Sequence, residues 1–102
     1  MSISHLSLVE ALNQRLQIVQ EVSSAQARSL LNRQLGGGAE FEIQQIEQEI
    51  AASGPSHALT KALEDAYERR QRAHVEMAAC DAQCVALERR LEELDGWIAD
   101  GS

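Results

Sequence analysis

The sequence predicts an all-α protein: a long antiparallel helical hairpin of coiled-coil type, its first arm broken at glycine, with two copies pairing into a four-helix bundle. Three observations predict it. Of 102 residues, 15 are alanine and 12 leucine, against one Phe, one Tyr and one Trp. That composition suits closely approaching helices better than a sandwich or barrel, which draws on β-branched and aromatic side chains. A row of mostly apolar residues alternates steps of four and three from Leu59 to Ile98, the spacing of a heptad seam. The single proline, Pro55, follows Ser53 and Gly54 and precedes Ser56, a setting for chain reversal. The length fits one domain over residues 1–102, since single cores rarely divide below roughly 250 residues.

The first helix is expected over about 7–35. Ser7 and Glu10 have capping-box spacing, in which the hydroxyl accepts from the amide three residues on. Leu8, Val9, Leu12, Leu16, Val19, Ala27, Leu30 and Leu31 fall in one arc of that helix and are expected to face the other arm. Gly36, Gly37 and Gly38 are expected to form a hinge at 36–38, because each glycine in a helix costs about 1 kcal/mol relative to alanine. A second helix over 39–52 follows from Ala39, Ile43, Ile46 and Ile50, one stripe at steps of four, three and four. The turn at 53–56 ends it, and Pro55 is acceptable in the first turn of a third helix over 56–99. That helix carries the seam: Leu59, Leu63, Ala66, Arg70, Ala73, Met77, Cys80, Cys84, Leu87, Leu91, Leu94 and Ile98.

Folding back at 53–56 pairs Ile50 with Leu59, Ile46 with Leu63, Leu16 with Leu91 and Leu12 with Leu94, while small residues meet in the middle of the arms. An alternative is a three-helix bundle with a second reversal at the glycines. It has support because the 39–50 stripe and the 8–31 arc lie nearly opposite on one straight helix, so the glycines should kink or rotate the chain.

Sixteen acids against nine bases give a net charge of −7, which repels phosphate backbones and disfavours direct nucleic-acid binding. No apolar run reaches the roughly 18 residues of a membrane span, and residues 1–12 lack the basic and apolar regions of a secretory signal. No membrane association and a cytoplasmic location are therefore expected, where Cys80 and Cys84 stay reduced. Those cysteines are four apart on one helical face, but a structural metal needs four ligands and the first arm has no cysteine. They read as small seam residues, and neither a metal nor another cofactor is expected. No nucleophile elbow, phosphate loop or zinc-protease motif appears, so the chain is not expected to be an enzyme.

Arg70 is the one charged residue on the seam; it is expected to snorkel or to pair with Glu40 or Glu42. Glu68 and Arg72 have the spacing of an exposed helical ion pair. Trp97 is expected to cover the open end of the hairpin beside Leu8 and Val9. Val75, Ala78, Ala79, Ala82, Val85 and Ala86 lie off the seam, and Ile18 and Val22 lie off the main arc of the first arm. These eight residues form the expected protein interface.

The function expected is that of a non-catalytic interaction module: a small acidic chaperone, adaptor or inhibitor that binds an unidentified protein and forms a homodimer. The alternatives are a structural assembly subunit and an acidic inhibitor that occupies a nucleic-acid-binding channel. In outline the chain resembles the small helical hairpins found among secretion-system substrates and chaperones. It departs from one such family in having Ser53, Gly54, Pro55 and Ser56 where a Trp-X-Gly turn would stand, so no site residue follows from the resemblance.

Overall fold

A computed structural model describes residues 7–101, which form two helices, α1 at Leu8–Ser53 and α2 at His57–Ala99, and no strand. The fold is an all-α helical hairpin. The ends of the helices follow from local chemistry. The Ser7 hydroxyl accepts the Glu10 amide at 3.1 Å, satisfying one of the amides that a helix start leaves without an internal partner. At the end of α1, Gly54 takes φ +83° and donates its amide to the Ile50 carbonyl at 2.8 Å, a left-handed cap that favours glycine. Pro55 lies outside both helices, and the Ser56 hydroxyl caps α2 by accepting the Leu59 amide at 3.1 Å.

α2 presents its inner row as the spacing predicts. Every member from Leu59 to Ile98 is buried or half-buried, Arg70 included. α1 does not present the face expected of it. Leu8, Val9, Leu12, Leu16, Val19, Ala27, Leu30 and Leu31 are all exposed. The inner row is instead Ala11, Ile18, Val22, Ala25, Ser29, Asn32, Gly36, Ala39, Ile43, Ile46 and Ile50, each buried or half-buried. From Val22 onward its steps alternate between three and four. The expected pairs of Leu12 and Leu16 with α2 are therefore replaced by others.

The hinge at 36–38 is absent, because α1 runs unbroken through all three glycines, and the three-helix alternative falls with it. A break would have left four amides and four carbonyls to be satisfied anew, at about 0.5–1.5 kcal/mol for each lost hydrogen bond. Three glycines cost about 3 kcal/mol against that. Continuity also keeps Ser29, Asn32, Gly36, Ala39 and Ile43 in one heptad phase. The two opposed stripes that argued for a rotation at the glycines coexist on one unbroken helix: the later stripe is inner, and the earlier one stays outside.

The helices pack in two units, residues 7–27 with 80–101, and Arg28–Ala79. In the first, Ala11 and Ile18 of α1 form a cluster with Leu87 and Leu94 of α2, and Val22, Leu91, Trp97 and Ile98 pack against it. Trp97 thus rests on the core rather than on Leu8 and Val9, which face outward. In the second, Ala39, Ile43, Ala66 and Ala73 are buried, and Gly36 lets α1 approach Ala73 and His74. Small residues inside allow the close approach, as the alanine content implies.

Candidate protein-binding surface

In the first unit the interface expected from the sequence divides. Ile18 is 2% exposed and Val22 half-buried against the core, so both are structural. Ala82, Val85 and Ala86 are exposed on the outer side of α2, Val85 at 56%. The larger apolar surface of this unit lies on α1, where Val9, Leu12, Leu16 and Val19 follow one another at steps of three, four and three. All four are exposed, Leu16 at 58%. They repeat the heptad spacing of the inner row on an adjacent face, so this stretch of α1 carries two apolar seams and buries one.

Beside that row, Arg15 donates from Nε to an Asp95 carboxylate oxygen at 2.7 Å. Asp95 belongs to a shallow groove of about 430 Å³ on α2 that Val85, Glu88, Arg89, Leu91 and Glu92 complete. This unit holds eight acids against three bases, leaving it five of the seven net negative charges of the chain. Cys80 and Cys84 are buried here and are not joined in a disulfide. Among the described residues no group of three or more His, Cys, Asp or Glu side chains is placed to hold a metal ion.

The second unit holds Val75, Ala78 and Ala79, all exposed on α2, together with exposed Leu30, Leu31, Leu35 and Phe41 on α1. Its charges are organised across the two helices. Arg70 reaches out of the seam to donate to Glu40 at 2.6 Å, with its guanidinium 4.9 Å from the centre of the Tyr67 ring. Arg69 pairs with Glu42, and the Tyr67 hydroxyl donates to Glu47 at 2.8 Å. The Glu47 hydrogen bond pushes the Tyr67 phenol above its ordinary pKa, with desolvation and the Glu47 charge adding to it. The hydrogen bond from Arg70 to Glu40 likewise raises the guanidinium further. Arg70 thus makes the partnership expected with Glu40. Glu68 and Arg72 form no ion pair; the i,i+4 pair present on α2 is Lys61 with Asp65 at 3.7 Å.

Arg69 and Arg72 border a groove of about 340 Å³ over Leu35 and Ala73, which Asn32 and Glu76 complete. Arg69 also borders a second groove, of about 430 Å³, beside Phe41 and Ile46. Both grooves are open surface features of apolar floor and charged rim, without a convergent set of acid, base and nucleophile.

Sequence reasoning placed Leu12, Leu16 and Val19 inside and so missed them as surface. The signal was present: carrying the heptad phase of Ile50, Ile46, Ile43 and Ala39 backwards through Gly36 reaches Ser29, Ala25, Val22 and Ile18, and leaves the leucines outside. No described helix is long and apolar enough to cross a membrane. No protein-family model, curated protein or solved structure matches this chain.

Proposed function

We propose that the chain is a non-catalytic protein-binding module, a small acidic adaptor, chaperone or inhibitor, whose primary contact row is Val9, Leu12, Leu16 and Val19 on α1. One observation carries this reading. Along the first unit α1 turns alanines 11 and 25 inward while leaving two leucines and two valines of its outer row in water. Helices in water ordinarily do the reverse, since burying a leucine contributes roughly 1.5–3 kcal/mol and burying an alanine far less. A contiguous row of large apolar side chains at heptad spacing on an already packed helix is a surface for a further helix.

The test compares the full chain with a Leu12→Ser, Leu16→Ser variant as bait in native extract. A specific protein retained by the first and lost from the second, at equal helicity by circular dichroism, is the expected result. Identical retention by the two baits would count against the row.

A second reading, a homodimer, rests on exposed Val85 with exposed Ala82 and Ala86 on the outer side of α2. Sedimentation velocity decides it: dimer mass at tens of micromolar that Val85→Glu reduces to monomer would establish self-association through α2.

A further inference from the structure

Resting on the reading of Val9, Leu12, Leu16 and Val19 as a protein-binding row, we infer that this face of the first unit takes a basic amphipathic α-helix from a partner protein. The row repeats the spacing by which α1 already packs on α2, so its complement is a helix with apolar side chains at the same interval. The charges beside the row select the flanks of that helix. The ion pair from Arg15 to Asp95 ties α1, between Leu12 and Leu16, to the wall of the α2 groove. Along that groove Glu88 and Glu92 are exposed and form no ion pair with the described residues, and Arg89 is the one base that lines it. Arg15 is already engaged. A helix laid on the row therefore meets carboxylates without partners along one edge, and lysine or arginine there would supply them.

A second copy of this chain fits the row less well. Row against row would bury little beyond two leucines and two valines from each side, short of the roughly 800 Å² per partner of a stable interface. It would also add a second acidic unit, of eight acids and three bases, to the first. Like charges facing each other oppose association, whereas a basic helix turns the same carboxylates into attraction.

The test uses the full chain and three synthetic helical peptides that share one leucine heptad row, flanked by lysine, glutamine or glutamate. Binding is read by fluorescence anisotropy and mass by sedimentation velocity. The lysine peptide is expected to bind at least about tenfold more tightly than the glutamate peptide, a gap that closes as salt rises from about 50 mM to about 500 mM. Leu12→Ser with Leu16→Ser should abolish binding of the lysine peptide. Glu88→Lys with Glu92→Lys should reverse the order of the lysine and glutamate peptides. Circular dichroism should be unchanged in both variants, because all four positions are exposed. Equal binding of the three peptides would overturn the basic partner while leaving a helix-binding row in place. Binding of none would overturn the row itself. A dimer dissolved by the Leu12 and Leu16 changes would make a second copy the occupant and overturn the inference.

Discussion

The Cβ of Ala73 lies 3.5 Å from the point where a Cβ on Gly36 would stand, with the His74 ring at the same distance. That is ordinary van der Waals contact, so the helix contact at Gly36 still has room for one methyl group. Gly37 and Gly38 have nothing within 4 Å of such an atom. All three are helical without positive φ; Gly37 and Gly38 carry the entropy cost of glycine for no steric return, whereas Gly36 faces Ala73 and His74. Gly37→Ala and Gly38→Ala should each stabilise the fold by about 1 kcal/mol, and Gly36→Ala by a similar or smaller amount. Thermal unfolding followed by circular dichroism would register this as a rise of about 4–8 °C per kcal/mol for a domain of this size. Gly36→Leu should destabilise, since the larger side chain would drive into Ala73.

Ile18 and Leu16 stand two residues apart on α1 and on different faces. Ile18 belongs to the cluster with Leu87 and Leu94, so Ile18→Ala should cost about 2–5 kcal/mol through lost burial and the cavity left behind. Leu16→Ala removes a side chain that is already largely in water and should change stability by less than about 0.5 kcal/mol. Denaturant midpoints of the two variants would show which face is inside. A larger loss at Leu16 than at Ile18 would restore the leucine arc as the seam.

How much of this was legible in the sequence differs between the helices. On α2 the buried positions are also the apolar ones, so spacing and hydrophobicity agree and the seam could be followed from Leu59 to Ile98. On α1 they disagree. Ala25, Ser29, Asn32 and Gly36 occupy inner positions where close approach, rather than hydrophobicity, decides the residue. The large apolar side chains of residues 8–31 mostly stand outside. A reading weighted by hydrophobicity follows the leucines, and a reading weighted by phase would have followed the isoleucines of residues 43–50 back through the glycines. The same inversion hid the candidate site, because residues taken for core cannot be taken for surface. Glycines read as a hinge compounded the error: local propensity disfavours them, but an uninterrupted helix with a partner along its length outweighs that cost.

The turn depends on Gly54 more than on the proline after it. With φ at +83°, Gly54 occupies a conformation in which a Cβ crowds the following carbonyl, although nothing else lies within 4 Å of that position. The penalty of Gly54→Ala is therefore local backbone strain, expected at about 1–2 kcal/mol. Pro55 lies outside both helices, and replacing it with alanine should cost less than about 1 kcal/mol, through a more flexible unfolded chain. Urea unfolding of the two variants would rank them. Equal losses, or a greater loss at Pro55, would contradict the cap described for α1.

Tyr67 is the single tyrosine of the chain, so ultraviolet absorbance near 295 nm follows its ionisation without interference from another phenol. Its hydroxyl donates to Glu47, and that bond, then desolvation, then the Glu47 charge, hold the phenol above its ordinary value of 10.0. The Arg70 guanidinium acts in the opposite direction but is itself drawn to Glu40. Because the folded pKa is raised, the hydrogen bond contributes fully below the unfolded pKa, near 10, and its contribution is lost as pH rises through the folded value. Ionisation would remove the donor and set a phenolate against the Glu47 carboxylate. Native protein should therefore titrate with a midpoint above 10, and urea-unfolded protein close to it. Glu47→Ala removes the acceptor and the charge together and should bring the native midpoint down toward the unfolded one. A midpoint unmoved by Glu47→Ala would show that Tyr67 does not donate to Glu47, and that this link between α1 and α2 is absent in solution.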